Sequence, residues 1–152
     1  MNNTLELERV RRHTHPRTND RIDRGIAETI QRYARQSEGA ITRRIDELDR
    51  EWDVERLLQT NASLLAVLGV GLGVTRDRRW LALSGGVLGF LFLHAVQGWC
   101  PPLPVLRSLG VRTRAEIDRE RFALKFLRGD FDLVRLPDGK INLRALLYAA
   151  EI

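Results

Sequence analysis

Residues 57–106 read LLQTNASLLAVLGVGLGVTRDRRWLALSGGVLGFLFLHAVQGWCPPLPVL and hold formal charge at one place only, Arg76-Asp77-Arg78-Arg79. Leu57 to Thr75 is a run of 19 uncharged residues, and Trp80 to Leu106 is a run of 27 if His94 is neutral. At about 1.5 Å per residue, 19 helical residues reach roughly 28 Å, close to the hydrocarbon thickness of a bilayer. Two such runs around a short charged turn predict a helical hairpin, with spans at about 57–75 and 80–99. The first run is weakened by Gln59-Thr60-Asn61, and only Ala62–Val74 is free of strongly polar groups. That length also suits a buried core helix. In the second run Trp80 to Trp99 is 20 residues with a tryptophan at each end, a separation that suits the two headgroup levels of a membrane.

Whole-chain averages hide this pattern. The 152 residues are 43% hydrophobic and 30% charged, with a net charge of +5. These values exclude collagen-like, disulfide-rich and low-complexity chains. Of the 25 basic residues only Lys125 and Lys140 are lysine. The first 60 residues are charge-balanced, and acidic side chains are interleaved throughout, as in Arg43-Arg44-Ile45-Asp46-Glu47. That patterning fits solvated helix faces and lacks the dense basic run of a nucleic-acid-binding tail. The start of the chain has no apolar run of the signal-peptide kind, so insertion is expected to use the internal hairpin.

Amphipathic helical arms are expected on both sides. Residues 1–18 read as a flexible tail. Residues 19–56 form an N-terminal arm, with Ile22, Ile26, Ile30 and Tyr33 on one helical stripe. Ser37-Glu38-Gly39 breaks it, and Ile41, Ile45, Leu48 and Trp52 form a second stripe. The hairpin occupies residues 57–106, with Pro101 and Pro102 stopping its second helix. Residues 107–152 form a C-terminal arm. There Thr113 and Glu116 have capping-box spacing for a helix at about Arg114–Arg128, Gly129 is a stop, and Asn142 can cap a last helix. Phe131–Leu136 reads as a short extended piece before a turn at Pro137-Asp138-Gly139. The fold class is therefore all-α, a two-helix transmembrane hairpin flanked by amphipathic helical arms.

Gly69-x-x-x-Gly73 and Gly85-x-x-x-Gly89 lie one in each run. Small residues four apart let helix backbones approach closely in lipid, which suits a tight hairpin or a dimer of hairpins. Gly69 and Gly71 do not begin a dinucleotide loop, because Val74 stands at the third glycine position and no strand precedes them. Cys100 is the single cysteine, so no internal disulfide can form. It reads either as a small apolar residue at a helix end or as a reactive thiol. His94 and Gln97 are the polar groups near the Trp99 end, placed for an interhelical hydrogen bond or snorkelling. His13-x-His15 offers two metal ligands without a third nearby, so no metal is expected. No nucleophile–base pair stands out, and neither a cofactor nor a catalytic residue is expected.

The middle of the chain resembles the YgaP-like transmembrane domain family of bacterial inner-membrane proteins. The residues that carry the likeness are RRWLAL at 78–83, GGVLG at 85–89, GWCPPLPVLR at 98–107 and LGVRT at 109–113. The flanks IDELDREWD at 45–53 and EIDRERFALK at 116–125 extend it, so that it covers roughly Asp20 to Asp130. The resemblance implies a two-helix membrane hairpin, often self-associating. Some members of that family carry a rhodanese domain with an active-site cysteine. Here the only cysteine follows the second span and no α/β pattern precedes the hairpin, so sulfur transfer is not implied.

Arginine distribution orients the hairpin. Arg43, Arg44, Arg50 and Arg56 precede it, Arg107, Arg112, Arg114 and Arg119 follow it, and three arginines lie in the turn. Both termini are therefore expected in the cytoplasm. The first reading is a non-enzymatic, multi-pass inner-membrane protein whose partners are lipids and a second copy or more of itself, with no nucleic acid. A second is a soluble all-α protein whose Arg-rich arms bind nucleic acid or a protein. A third is a membrane thiol protein acting through Cys100.

Overall fold

A computed structural model describes residues 9–134 and 141–151. Among these the chain is all-helical, with no extended strand. A helical turn at 9–12 precedes α1 (Pro16–Tyr33), α2 (Glu38–Arg50), α3 (Val54–Thr75), α4 (Leu81–Gln97), α5 (Leu103–Ser108), α6 (Arg114–Arg128) and α7 (Leu143–Glu151). Two 3₁₀ turns, Arg78–Trp80 and Asp132–Val134, complete the elements.

Local chemistry accounts for most boundaries. α1 starts a turn earlier than its apolar stripe suggests, with Pro16 as its first residue, where a missing N–H costs nothing. α2 begins at Glu38, so Glu38 and Gly39 lie inside the helix and the break falls at residues 34–37. Asp53 caps α3, accepting the Arg56 N–H at 2.7 Å. Gly98 ends α4 in the left-handed conformation, φ +76°, ahead of the two prolines expected to stop it. The capping box forms as its spacing predicts: the Thr113 N–H donates to Glu116 Oε2 at 2.9 Å, and the Glu116 N–H to Thr113 Oγ1 at 3.3 Å. Asn142 caps α7, accepting from the Ala145 N–H at 3.1 Å. Residues 132–134 form a 3₁₀ turn instead of extended chain. The turn expected at Pro137-Asp138-Gly139 lies outside the described residues.

The described residues divide into two compact units. Unit 1 comprises residues 9–22 and 52–116 and contains α3, α4 and α5. Its buried cluster is Val10, Val54, Leu58, Cys100 and Leu103. The tail expected at 1–18 is thus corrected for residues 9–18. Val10 and Thr14 are buried and α1 begins at Pro16, because an apolar side chain and polar partners for a buried arginine are drawn from this segment. Residues 1–8 lie outside the described residues.

Unit 2 comprises residues 23–51 and the described part of 117–151. Here segments from the two arms pack on each other. Ile41, Ile45 and Leu48 of α2 meet Ile117 and Leu124 of α6, with Tyr33 against them. Burying each such aliphatic side chain contributes about 1.5–3 kcal/mol. Ion pairs rim this cluster: Arg44–Glu120 at 2.9 Å, Arg121–Asp49 at 2.9 Å, and Arg119–Asp23. Lys125, fully buried, donates from Nζ to the Ala149 carbonyl in the last turn of α7 at 3.1 Å, satisfying a helix-end acceptor. Trp52 falls outside the α2 stripe and is exposed, with the Arg56 guanidinium 4.5 Å from its ring centroid.

Candidate functional site

α3 and α4 pack closely near the charged turn, where Gly69 and Gly73 leave room for Ser84 and Leu81. A Cβ on Gly69 would overlap Ser84 Oγ and stand 3.1 Å from the Ser84 nitrogen and the Trp80 carbonyl oxygen. A Cβ on Gly73 would lie 2.7 Å from Leu81 Cδ2. Ser84, buried, donates to the Ala66 carbonyl at 2.8 Å and ties the backbones together. Gly69-x-x-x-Gly73 is therefore used within the chain. Gly85, Gly86 and Gly89 are exposed and meet nothing within 4 Å. With Ala82 they form a small-residue strip on an outward face of α4. The two motifs, equivalent in sequence, serve different surfaces.

Both helices are long and apolar enough to cross a membrane. Of their most apolar 18-residue windows, only 17% and 6% is buried. Leu64, Val67 and Val74 of α3 are 66%, 71% and 79% exposed, and Phe92 of α4 is 68% exposed. Trp80 and Trp99 flank α4 and are both exposed.

At the far end of the pair, two clefts open. Glu55, Gln59 and Ser63, spaced one turn apart on α3, face His94 and Ala95 of α4 and Arg9 across a cleft of about 540 Å³. Arg9 NH1 donates to the Ala95 carbonyl at 3.2 Å, a helix-end acceptor. Of the polar trio that weakened the first run, Gln59 lines this cleft, whereas Thr60 and Asn61 lie outside it and are exposed. The other cleft, of about 410 Å³, is apolar. Leu58, Ala62 and Leu65 of α3 and Val87 and Phe90 of α4 form its sides. Cys100, Pro101, Pro102 and Leu106 close its end. His94 lines both clefts, so His94 and Cys100 share a cavity wall that their sequence separation did not suggest. Gln97 is exposed.

Cys100 belongs to the unit 1 core. Burial pushes its thiol up from the ordinary value, and a hydrogen bond with the Leu103 backbone only partly offsets this. A raised thiol is a poor nucleophile at neutral pH. His15 Nδ1 accepts the Arg17 N–H at 3.2 Å, capping its own turn. Among the described residues no three His, Cys, Asp or Glu side chains converge as a metal set.

The most elaborate constellation was not anticipated from sequence. Arg107 and Glu116 are each only 1% exposed. Arg107 NH1 donates to Glu116 Oε2 at 2.6 Å and NH2 to Oε1 at 2.8 Å. The remaining donors reach Thr14 Oγ1, Asn19 Oδ1 and the Val111 carbonyl at 3.2, 3.0 and 3.0 Å. All five guanidinium N–H groups are thus used. Arg11 adds a further bond to Glu116 Oε1 at 2.9 Å. Burial acts to raise the Glu116 carboxyl, but the Arg107 hydrogen bonds, the Thr113 N–H and the charges of Arg107 and Arg11 outweigh it and hold the group below its usual range. The capping-box spacing was the one visible signal. It marked Glu116 as a cap but not as the partner of a buried arginine. Full satisfaction within the chain makes this network a fastening between residues 9–22 and the segment after α4, with no donor left for a substrate.

No protein-family model, curated protein or solved structure matches this chain.

Proposed function

We propose that the chain is a non-catalytic protein of the bacterial inner membrane, a two-helix transmembrane hairpin of the YgaP-like kind that self-associates in the bilayer. One observation carries this reading: from Leu64 to Val74 of α3 and from Leu81 to Val96 of α4 the exposed side chains are all apolar. A core helix of a soluble protein would be covered, and an apolar surface of this extent marks a membrane or partner interface. Trp80 and Trp99 suit the two interfaces, and eight flanking arginines against three in the turn favour cytoplasmic termini. Lipids are the first partner. A second copy is the next, through Ala82, Gly85, Gly86 and Gly89, where helix backbones can approach closely. Nucleic acid is not proposed, since Arg44, Arg107, Arg119, Arg121 and Arg128 are all paired with carboxylates inside the chain. Retention of the full chain in membranes after an alkaline carbonate wash tests the reading.

A further inference from the structure

The apolar cleft beside Cys100 has a shape and a chemistry that the anchoring role does not use. Its walls come from three places, α3, α4 and the segment that turns back after Gly98. Its polar lining is limited to Asn61, His94 and the Cys100 thiol. The Asn61 amide is turned onto its own helix, donating to the Leu57 carbonyl at 2.8 Å. The rest of the lining is apolar side chain, including Leu65, Val87, Phe90 and Leu91. Its volume of about 410 Å³ lies in the usual range for ligand pockets, about 300–1,000 Å³.

We propose that this cleft binds one acyl chain of a membrane lipid. The inference rests on the membrane reading above. Leu65 and Phe90 line the cleft and are also exposed on the outer surface of the helices, so its mouth is continuous with the surface that faces hydrocarbon. Pro101 and Pro102 close the end near Trp99, the level at which the ester end of a lipid would lie. The Gly85 and Gly89 strip does not line the cleft, so a second copy seated on that strip leaves it open. An acyl chain fits a narrow apolar concavity without demanding hydrogen bonds. A phospholipid and a free fatty acid share this chemistry.

Photo-crosslinking of the full chain in phosphatidylcholine vesicles tests the proposal. One arm carries phosphatidylcholine with a diazirine on its acyl chain, the other a diazirine-bearing palmitic acid. Adducts are mapped by peptide mass spectrometry. Concentration of adducts at residues 58–65 and 87–106 with either probe supports the site, and the probe that labels identifies the source. Ala62→Trp and Leu65→Trp fill the cleft from neighbouring positions. Each is expected to lower those adducts about tenfold, equivalent to about 1.4 kcal/mol of affinity. Val67→Trp adds the same bulk to an exposed α3 position outside the cleft and should leave them unchanged. Adducts spread evenly over the exposed helix faces in all variants would overturn the acyl-chain site alone. A wild-type chain that fails to float with the vesicles would overturn the membrane reading with it.

Discussion

Arg107 grips Glu116 through two parallel hydrogen bonds of 2.6 and 2.8 Å in a site from which solvent is almost wholly excluded. The pair joins the segment after α4 to Thr14 and Asn19, residues close to ninety positions earlier in the chain. Removing one partner leaves the other charge buried without compensation. Arg107→Met or Glu116→Gln should each destabilise the chain by about 3–5 kcal/mol. The double variant Arg107→Met/Glu116→Gln should cost clearly less than the sum of the single changes. Denaturant titration in detergent, followed by tryptophan fluorescence, checks both; additive losses would show that the two groups do not act as a unit.

The same pair makes stability pH-dependent. Glu116 is held below its ordinary value of 4.5, so the unfolded chain binds the proton more readily than the folded one. Its contribution is fully present above the ordinary carboxylate range and is lost as pH falls through the folded value. Acid titration of the wild type should therefore show a steeper fall in stability below about pH 4.5 than that of Glu116→Gln, which keeps the other paired carboxylates. Parallel acid profiles for the two chains would contradict the assignment.

Gly98 has two constraints at once. Its φ of +76° disfavours any L side chain, and an added Cβ would stand 2.6 Å from the Arg9 Cβ. The left-handed conformation alone costs about 1–2 kcal/mol for a non-glycine residue. Gly98→Ala should lower the unfolding free energy by at least that much and loosen residues 9–12, measured as faster hydrogen exchange there. Unchanged exchange would mean that the Arg9 contact is not held by this glycine.

The two glycine motifs should respond differently to the same substitution. Gly69→Val drives its side chain into Ser84 and the Trp80 carbonyl, so it should disrupt the α3–α4 pair and expose the chain to proteolysis. Gly85→Val meets nothing within 4 Å and should leave the single chain folded while reducing cross-linked dimer in detergent or vesicles. Loss of folding in Gly85→Val, or undiminished dimer, would refute the division of labour.

Cys100 should behave as a core residue. Its thiol is buried and pushed up by that burial, so alkylation of the folded chain at neutral pH should be at least about tenfold slower than after unfolding. Equal rates would revive a role for a reactive thiol.

Much of the architecture was legible because it depends on neighbours in sequence. The apolar stripes placed α1 and α2, and the Thr113–Glu116 box and Asn142 marked helix starts where the backbone N–H groups need acceptors. Gly129, with φ +88°, closes α6 as expected. Long-range relations were not legible. Arg107 was counted as a flanking topology charge, since nothing local reveals that Thr14, Asn19 and Glu116 converge on it. Gly69 and Gly85 could not be told apart, because spacing shows that a small-residue face exists but not what it meets. Residues 9–18 lack periodicity, yet Val10 and Thr14 are buried by contacts with distant parts of unit 1.

The membrane reading requires α3 and α4 to cross a bilayer. Fractionation of cells expressing the full chain, with an alkaline carbonate wash of the membranes, tests it most directly. The chain should stay in the washed membrane pellet and be released only by detergent. Recovery in the soluble fraction without detergent would contradict it.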